Sequence, residues 1–142
     1  MPDKTLRIAI SGPNASGKTT LANAIAEKYG LPAIEDGFAP IRDERFRLEQ
    51  LRREMASVEA MAEAKKSWMS SFVHWMKERE AAYANSAGFV ADRWEADLLD
   101  LWLVSFAQDR NVDPMTTQMM KNLYAKAQAL DFVIMLPLAK SF

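Results

Sequence analysis

The chain has 142 residues, of which 49% are hydrophobic and 26% charged, and its formal net charge is −1. This length and balance predict one globular domain over residues 1–142, and they exclude a disordered or fibrous protein. The near-neutral charge argues against recruitment of nucleic acid or of an anionic membrane, and the lack of cysteine excludes disulfides and thiolate metal sites.

The N-terminal apolar run is too short for a signal peptide, and no window approaches eighteen consecutive apolar residues. The expected location is therefore cytoplasmic, without a membrane partner.

The first quarter of the chain alternates between strand and helix patterns. Leu6 to Ile10 is a short β-prone run that enters a glycine-containing loop, and Lys18 to Tyr29 has the apolar spacing of a helix. Gly30 follows as a stop signal, and Pro32 to Glu35 predicts a second strand that ends in a turn.

The middle of the chain, residues 43–87, contains neither glycine nor proline and has apolar residues spaced three and four apart. This pattern predicts two helices, with a break at Lys65 to Ser67 and Ser67 as an N-cap. Three aromatic residues in the second helix favour a core role over a base-stacking platform: Trp68, Phe72 and Trp75.

The last third returns to alternating elements. Phe89 to Arg93 predicts a third strand, and Ala96 to Gln108 a largely buried helix. Asp113 is placed as the N-cap of a further helix with Pro114 at its first position. The apolar run Asp131 to Leu138 predicts a fourth strand covered on both faces. The alternation indicates an α/β fold with a parallel sheet.

One motif carries specific chemistry. The stretch from Gly12 to Thr19 matches G-x-x-x-x-G-K-[ST] at every fixed position, between a predicted strand and a predicted helix. Such a loop points its N–H groups at a phosphate, the lysine reaches the β- and γ-phosphates, and the hydroxyl after it binds Mg²⁺. The alternative is a glycine turn that binds nothing. The residues predicted to hold the nucleotide are Gly12, Asn14, Ala15, Ser16, Gly17, Lys18, Thr19 and Thr20.

A second candidate site follows the third strand. Asp92 ends that strand, where open α/β sheets bind ligands, and it could hold Mg²⁺ with Thr19 or assist an acceptor. Arg93 offers a permanently charged fork for a phosphate. The alternative is structural: Asp92 caps the next helix, and Arg93 pairs with Glu95 or Asp97 on the surface.

These motifs together resemble the P-loop small-molecule kinases, closest to nucleoside and nucleotide kinases such as thymidylate kinase and to ribosylnicotinamide-kinase-like ATPases. The resemblance rests on the loop, the acidic turn after the second strand, and "DRW" after the third. It implies a three-layer P-loop NTPase fold with strand order 2-3-1-4 and the cofactors ATP and Mg²⁺. By the same resemblance Glu35 or Asp36 is the base for the acceptor hydroxyl, Arg93 binds phosphate, and Arg42 meets an acceptor phosphate.

The sequence also departs from the pattern of this family at its C-terminal end. Members of this group continue past the fourth strand with an arginine-bearing lid and a fifth strand, whereas this sequence stops at "PLAKSF". Three expectations follow: the sequence is a fragment, a partner supplies the missing part, or the protein has lost the lid. The fourth strand would then be an apolar edge, which predicts either helical cover or association with a second copy or a partner chain.

The leading interpretation is ATP-dependent phosphoryl transfer to a small acceptor, above all a nucleoside or nucleotide, with Lys18, Glu35, Asp36, Asp92 and Arg93 as the catalytic set. Two alternatives remain open. One is a nucleotide-binding module with little or no turnover. The other is a kinase acting on a modified base or an end of a polynucleotide.

Overall fold

A computed structural model describes residues 4–13, 16–106 and 112–137. Strands and helices alternate along these residues. They are β1 Arg7–Ser11, α1 Lys18–Tyr29, β2 Ala33–Ile34, α2 Ala39–Arg53, α3 Val58–Ala84, β3 Phe89–Asp92, α4 Glu95–Phe106, α5 Asp113–Ala129 and β4 Phe132–Met135.

The chain divides into two compact units. One, the sheet unit, comprises the residues up to Asp36 and those from Ala82 onward, and it contains all four of these strands. The other, the helical unit, is Gly37–Ala81 and contains α2 and most of α3. The expectation of a single domain over residues 1–142 stays a prediction.

The four strands form one parallel sheet in the order β2-β3-β1-β4. Both the α/β class and the predicted strand order 2-3-1-4 are therefore confirmed. The register pairs Ile10 of β1 with Asp92 of β3 and Ser11 with Met135 of β4. Because the strands are parallel, the residues that follow β1, β2 and β3 emerge at the same edge of the sheet.

Helices cover both faces of the sheet. On one face, Ile8, Ile10 and Val90 pack with Ala22 and Ala26 of α1. On the other face, a second apolar cluster joins strand residues to the end of α3, to α5 and to the region before α4. Its members include Ala9, Phe89, Ala91, Tyr83, Trp94 and Leu123. Alternate side chains of a strand point to opposite faces, so these two clusters give the sheet unit its three layers.

The first helix and the early strands lie close to their predicted bounds. Helix α1 ends at Tyr29, directly before Gly30, as predicted. Helix α5 begins one residue earlier than expected, because Asp113 is its first residue and the cap position falls on Val112. The prediction of Asp113 as an N-cap is therefore wrong by one position. The predicted helix end at Gln108 lies outside the described residues.

The prediction that the fourth strand is covered on both faces is wrong for its described residues. Phe132 is 58% exposed and Met135 67% exposed. In the sheet of described strands β4 is outermost and pairs with β1, so its edge position is confirmed. Whether another chain pairs with this edge stays a prediction.

In the helical unit the break between the two helices falls earlier than predicted. Helix α3 runs without interruption from Val58 to Ala84, and the break lies at residues 54–57. Ser57, not Ser67, caps α3, since its Oγ accepts a hydrogen bond from the backbone N–H of Ala60 at 3.1 Å. The core interpretation of the aromatic stripe is confirmed, because its members are 6% exposed or less: Trp68, Phe72 and Trp75.

Candidate functional site

The glycine loop, residues 12–17, connects β1 to α1 and requires glycine at two described positions. At Gly12 the backbone φ is +142°, and a Cβ would lie 2.6 Å from the backbone oxygen of Leu136. Gly17, the residue before α1, has a φ of +88°. Both angles are costly for residues with a side chain. The two glycines of the motif are therefore fixed by the backbone path itself.

Lys18 lies in the first turn of α1, and its side chain is directed back into the loop. The residue is only 6% exposed. Its ammonium donates a hydrogen bond to the backbone oxygen of Pro13 at 2.5 Å and lies 3.5 Å from Ser16 Oγ. The Ser16 hydroxyl donates to the same Pro13 oxygen at 2.7 Å. The Lys18 ammonium therefore contacts two neutral oxygens of the loop.

The electrostatic setting of Lys18 is unfavourable to its charge. Burial lowers the pKa of the Lys18 ammonium below its ordinary value of 10.5, and the nearby Arg93 guanidinium lowers it further. Nearby carboxylates oppose this effect without cancelling it: Asp92, Asp97 and Asp36. An anion seated against the ammonium would stabilise the charged form.

Thr19 and Asp92 come together from positions 73 residues apart. The Thr19 hydroxyl donates a hydrogen bond to Asp92 Oδ2 at 2.5 Å, and Asp92 is 4% exposed. The β1–β3 register accounts for this contact, because Asp92 ends β3 beside Ile10, just before the loop that leads into α1. The predicted metal pair is therefore adjacent in space.

This pair suits Mg²⁺ by its chemistry. Mg²⁺ prefers oxygen ligands and is usually held by one or two carboxylates together with substrate phosphates. Among the described residues no group of three or more His, Cys, Asp or Glu is placed to hold a metal by itself. A hydroxyl and one carboxylate are two such oxygen ligands, so an ion held here would need further ligands from a bound group or from water.

Arg93 occupies an unusual backbone conformation, which sequence reasoning did not anticipate. Its φ is +69°, in the left-handed region that non-glycine residues avoid. Its N–H donates to the Ile10 carbonyl at 2.9 Å, and its side chain is buried, with Nε 3.7 Å from Asp36 Oδ2. The alternative of an Arg93 ion pair on the surface is therefore wrong, because the residue is only 8% exposed.

Asp97 has a role in the site that the sequence interpretation missed. Its Oδ2 accepts a hydrogen bond from the N–H of Trp94 at 2.9 Å, which caps α4, while Oδ1 accepts from the Ser11 hydroxyl at 2.7 Å. One carboxylate thus joins the end of β1 to the start of α4. The signal was available: an acidic residue at the third position of a helix commonly reaches back to its cap.

The predicted bases lie beside the same edge of the sheet. Glu35 and Asp36 follow β2 and line a cavity of about 230 Å³. Thr19 and Asp92 line it too, as does Asn23, one helical turn beyond Thr19. Asn23 was not among the predicted site residues. The cavity therefore joins the predicted acceptor base to the predicted metal pair within the sheet unit.

The structure adds little about the roles of the remaining predicted site residues. Thr20 is exposed in the first turn of α1. Arg42 is exposed on α2, which belongs to the helical unit, so its acceptor role stays a prediction. Asn14 and Ala15 lie outside the described residues.

Comparison with known proteins adds no assignment. No protein-family model matches the chain, and no curated protein sequence matches it. Within the described part of the chain, no helix combines the length and apolar character needed to cross a membrane.

Proposed function

We propose that the chain has a P-loop NTPase fold and is a kinase that binds Mg²⁺-ATP in the glycine loop. It transfers the γ-phosphoryl group to a small acceptor, a nucleoside or nucleotide. The observation that carries the proposal is the hydrogen bond from Thr19 to Asp92. It brings the hydroxyl that follows the loop lysine to a buried carboxylate at the carboxyl edge of the sheet, which is the donor set for nucleotide-bound Mg²⁺.

Each residue then has a definite task. The loop N–H groups and the start of α1 bind the phosphates, and the Lys18 ammonium leaves the Pro13 oxygen to neutralise the β- and γ-phosphates. Thr19 and Asp92 would hold the Mg²⁺ ion. When bound, Mg²⁺ offsets charge that develops on the phosphoryl oxygens.

The acceptor side uses the carboxylates after β2. The acceptor hydroxyl passes its proton to Glu35 or Asp36 while its oxygen forms a bond to the γ-phosphorus. The bond between that phosphorus and the β–γ bridging oxygen breaks, and ADP leaves. Arg93, buried and ion-paired with Asp36, supplies positive charge beside the transferring group.

A transfer assay tests the proposal. The full chain is incubated with Mg²⁺ and γ-labelled ATP, and with a panel of nucleosides, nucleoside monophosphates and ribosylnicotinamide. We expect transfer to at least one acceptor, and a loss of about 100-fold or more in Lys18→Ala, because a charge-assisted contact to the reacting phosphate disappears.

Lys121→Ala is the matched control, since Lys121 is an exposed lysine on α5 and is not part of the glycine loop. Transfer that persists in Lys18→Ala would contradict the proposal, as would a folded wild-type chain that phosphorylates no acceptor. ATP binding without transfer would instead support the nucleotide-binding module.

A further inference from the structure

The cavity beside Thr19 has a lining that discriminates between kinds of acceptor. Eight residues line it, three from α1, four from β2 and the turn after it, and Asp92 from β3. The α1 residues are Thr19, Ala22 and Asn23, and the others are Ala33, Ile34, Glu35 and Asp36. With about 230 Å³, it is smaller than the roughly 300–1,000 Å³ of pockets that enclose a whole drug-sized ligand.

The charged residues that line this cavity are all acidic. Glu35, Asp36 and Asp92 contribute carboxylates, and none of the eight lining residues is lysine or arginine. Arg93 is ion-paired with Asp36 and does not line the cavity. Mg²⁺ held by Asp92 would offset one of these charges, and Arg93 offsets part of another. A phosphate-bearing group seated against the exposed Glu35 and the half-buried Asp36 would still meet like charges, which oppose its binding.

The hydrogen-bonding groups suit hydroxyls. Carboxylate oxygens accept hydrogen bonds from hydroxyl groups, and the Asn23 carboxamide can both donate and accept. Ala22, Ala33 and Ile34 provide an apolar surface beside these polar groups. A small polyol has this combination, because each of its carbons carries both C–H bonds and a hydroxyl.

We propose that this cavity binds the hydroxyl-bearing end of an uncharged or cationic acceptor, such as a riboside, and excludes the corresponding monophosphate. In this proposal Asn23 is a specificity-determining residue that holds an acceptor hydroxyl beside Glu35 and Asp36. The inference rests on the proposed function, and it narrows the acceptor from nucleoside or nucleotide to a compound without phosphate.

The reaction follows with its atoms balanced. One acceptor hydroxyl loses its proton to a carboxylate of the lining, and its oxygen bonds to the γ-phosphorus of ATP. The bridging P–O bond breaks, so the products are ADP, a phosphate monoester and a proton released to solvent. No other reactant is required.

Equilibrium binding tests the inference separately from turnover. Adenosine, cytidine, ribosylnicotinamide and their 5′-monophosphates are titrated into the full chain by calorimetry. One series uses the chain saturated with Mg²⁺ and a non-hydrolysable ATP analogue. A second series uses Lys18→Ala without nucleotide, so that the loop lysine cannot capture the monophosphate. We expect at least one riboside to bind about tenfold or more tightly than its monophosphate in both series.

Substitutions at Asn23 localise the effect. Asn23→Ala should weaken riboside binding about tenfold and raise the acceptor KM while leaving the KM for ATP unchanged. Asn23→Lys places a cation at the lining and should shift the riboside-to-monophosphate ratio about tenfold toward the monophosphate. Asn85→Lys makes the same change at an exposed position that does not line the cavity, and it should leave the ratio unaltered.

The inference is overturned if monophosphates bind as tightly as ribosides, if neither binds, or if Asn23→Lys leaves the ratio unchanged. The proposed function fails on a different result, the absence of Lys18-dependent transfer. Transfer to monophosphates alone would refute the inference and leave the kinase proposal standing.

Discussion

At the scale of single residues, the site contains a strained backbone conformation and a buried charge. Arg93 has a left-handed backbone, and Lys18 is a nearly buried ammonium whose pKa is lowered by burial. Such costs concentrate at functional sites, where the rest of the fold compensates for them. A polyphosphate bound beside Lys18 would stabilise the charged form of its ammonium group.

The pH dependence of stability tests the burial of Lys18. Its pKa is below 10.5 in the folded chain and ordinary in the unfolded chain, so the unfolded state binds more protons between the two values. The penalty for charging Lys18 is complete below the folded pKa and disappears as the pH rises toward 10.5. The free energy of unfolding of wild type, minus that of Lys18→Met, should therefore increase with pH across this window.

Denaturant titrations of both proteins from pH 7 to pH 10.5 give this difference, and subtraction removes the titration of the other lysines. A difference that stays constant or decreases with pH would show that the Lys18 pKa is not lowered by folding.

Much of the candidate site was predictable at this scale, and its gaps have physical reasons. The proximity of Thr19 to Asp92 follows from a motif and a strand end, both visible in sequence. The backbone of Arg93 and the reach of Asn23 into a cavity depend on the tertiary path of the chain. No local pattern in "DRW" or "TTLAN" predicts them.

At the scale of elements, the end of α2 shows why the helix break was misplaced. The N–H of Met55 donates to the Arg52 oxygen at 3.1 Å, and the N–H of Ala56 donates to the Leu51 oxygen at 3.0 Å. This pattern is a Schellman motif, which normally has glycine at the position of Met55. Met55 adopts the required φ of +53° without being glycine, so the sequence contained no stop signal there.

Replacing Met55 with glycine should stabilise the protein. Glycine removes the cost of a left-handed backbone, roughly 1–2 kcal/mol, and adds the entropy of a more flexible unfolded chain. The expected net gain is about 0.5–1 kcal/mol in the free energy of unfolding. Met55 is 90% exposed, so little packing is lost.

Met55→Ala is the matched control for this change, because it removes the same side chain but keeps the backbone cost. Equal stabilities of the glycine and alanine variants would contradict the interpretation of this helix end.

The start of α3 yields a paired prediction. Ser57→Ala removes the hydroxyl that accepts the Ala60 N–H and should lower the free energy of unfolding by about 1 kcal/mol. Ser67→Ala lies within α3 and should change it by no more than about 0.5 kcal/mol. Chemical denaturation of the two variants measures both values. A larger loss for Ser67 than for Ser57 would restore the break expected from sequence.

At the scale of the whole molecule, the order of the strands was predictable, whereas the burial of each strand by neighbouring elements was not. The alternation of elements predicted a parallel α/β sheet, and the resemblance to small-molecule kinases implied the order β2-β3-β1-β4. The apolar run of β4 predicted burial on both faces, yet an edge strand can carry the same residues exposed. Hydrophobicity alone does not distinguish a strand covered on both faces from an exposed edge strand.

The same topology explains why the site lies where it does. Parallel pairing brings the ends of β1, β2 and β3 to one edge of the sheet, where the glycine loop, the acidic turn and Asp92 meet. These contacts all lie within the sheet unit. The central claim, that this edge binds Mg²⁺-ATP, therefore depends on a few side chains that can be changed one at a time.

Calorimetric titration with ATP, in the presence and absence of Mg²⁺, tests that claim most directly. We predict saturable, Mg²⁺-dependent binding to wild type and to Lys121→Ala, and binding about 100-fold weaker in Lys18→Ala. In Asp92→Asn we predict loss of the Mg²⁺ dependence. The control Asp100→Asn makes the same change at an exposed position of α4 and should retain it. Absence of ATP binding to the folded wild type, or equal affinity in wild type and Lys18→Ala, would contradict the account.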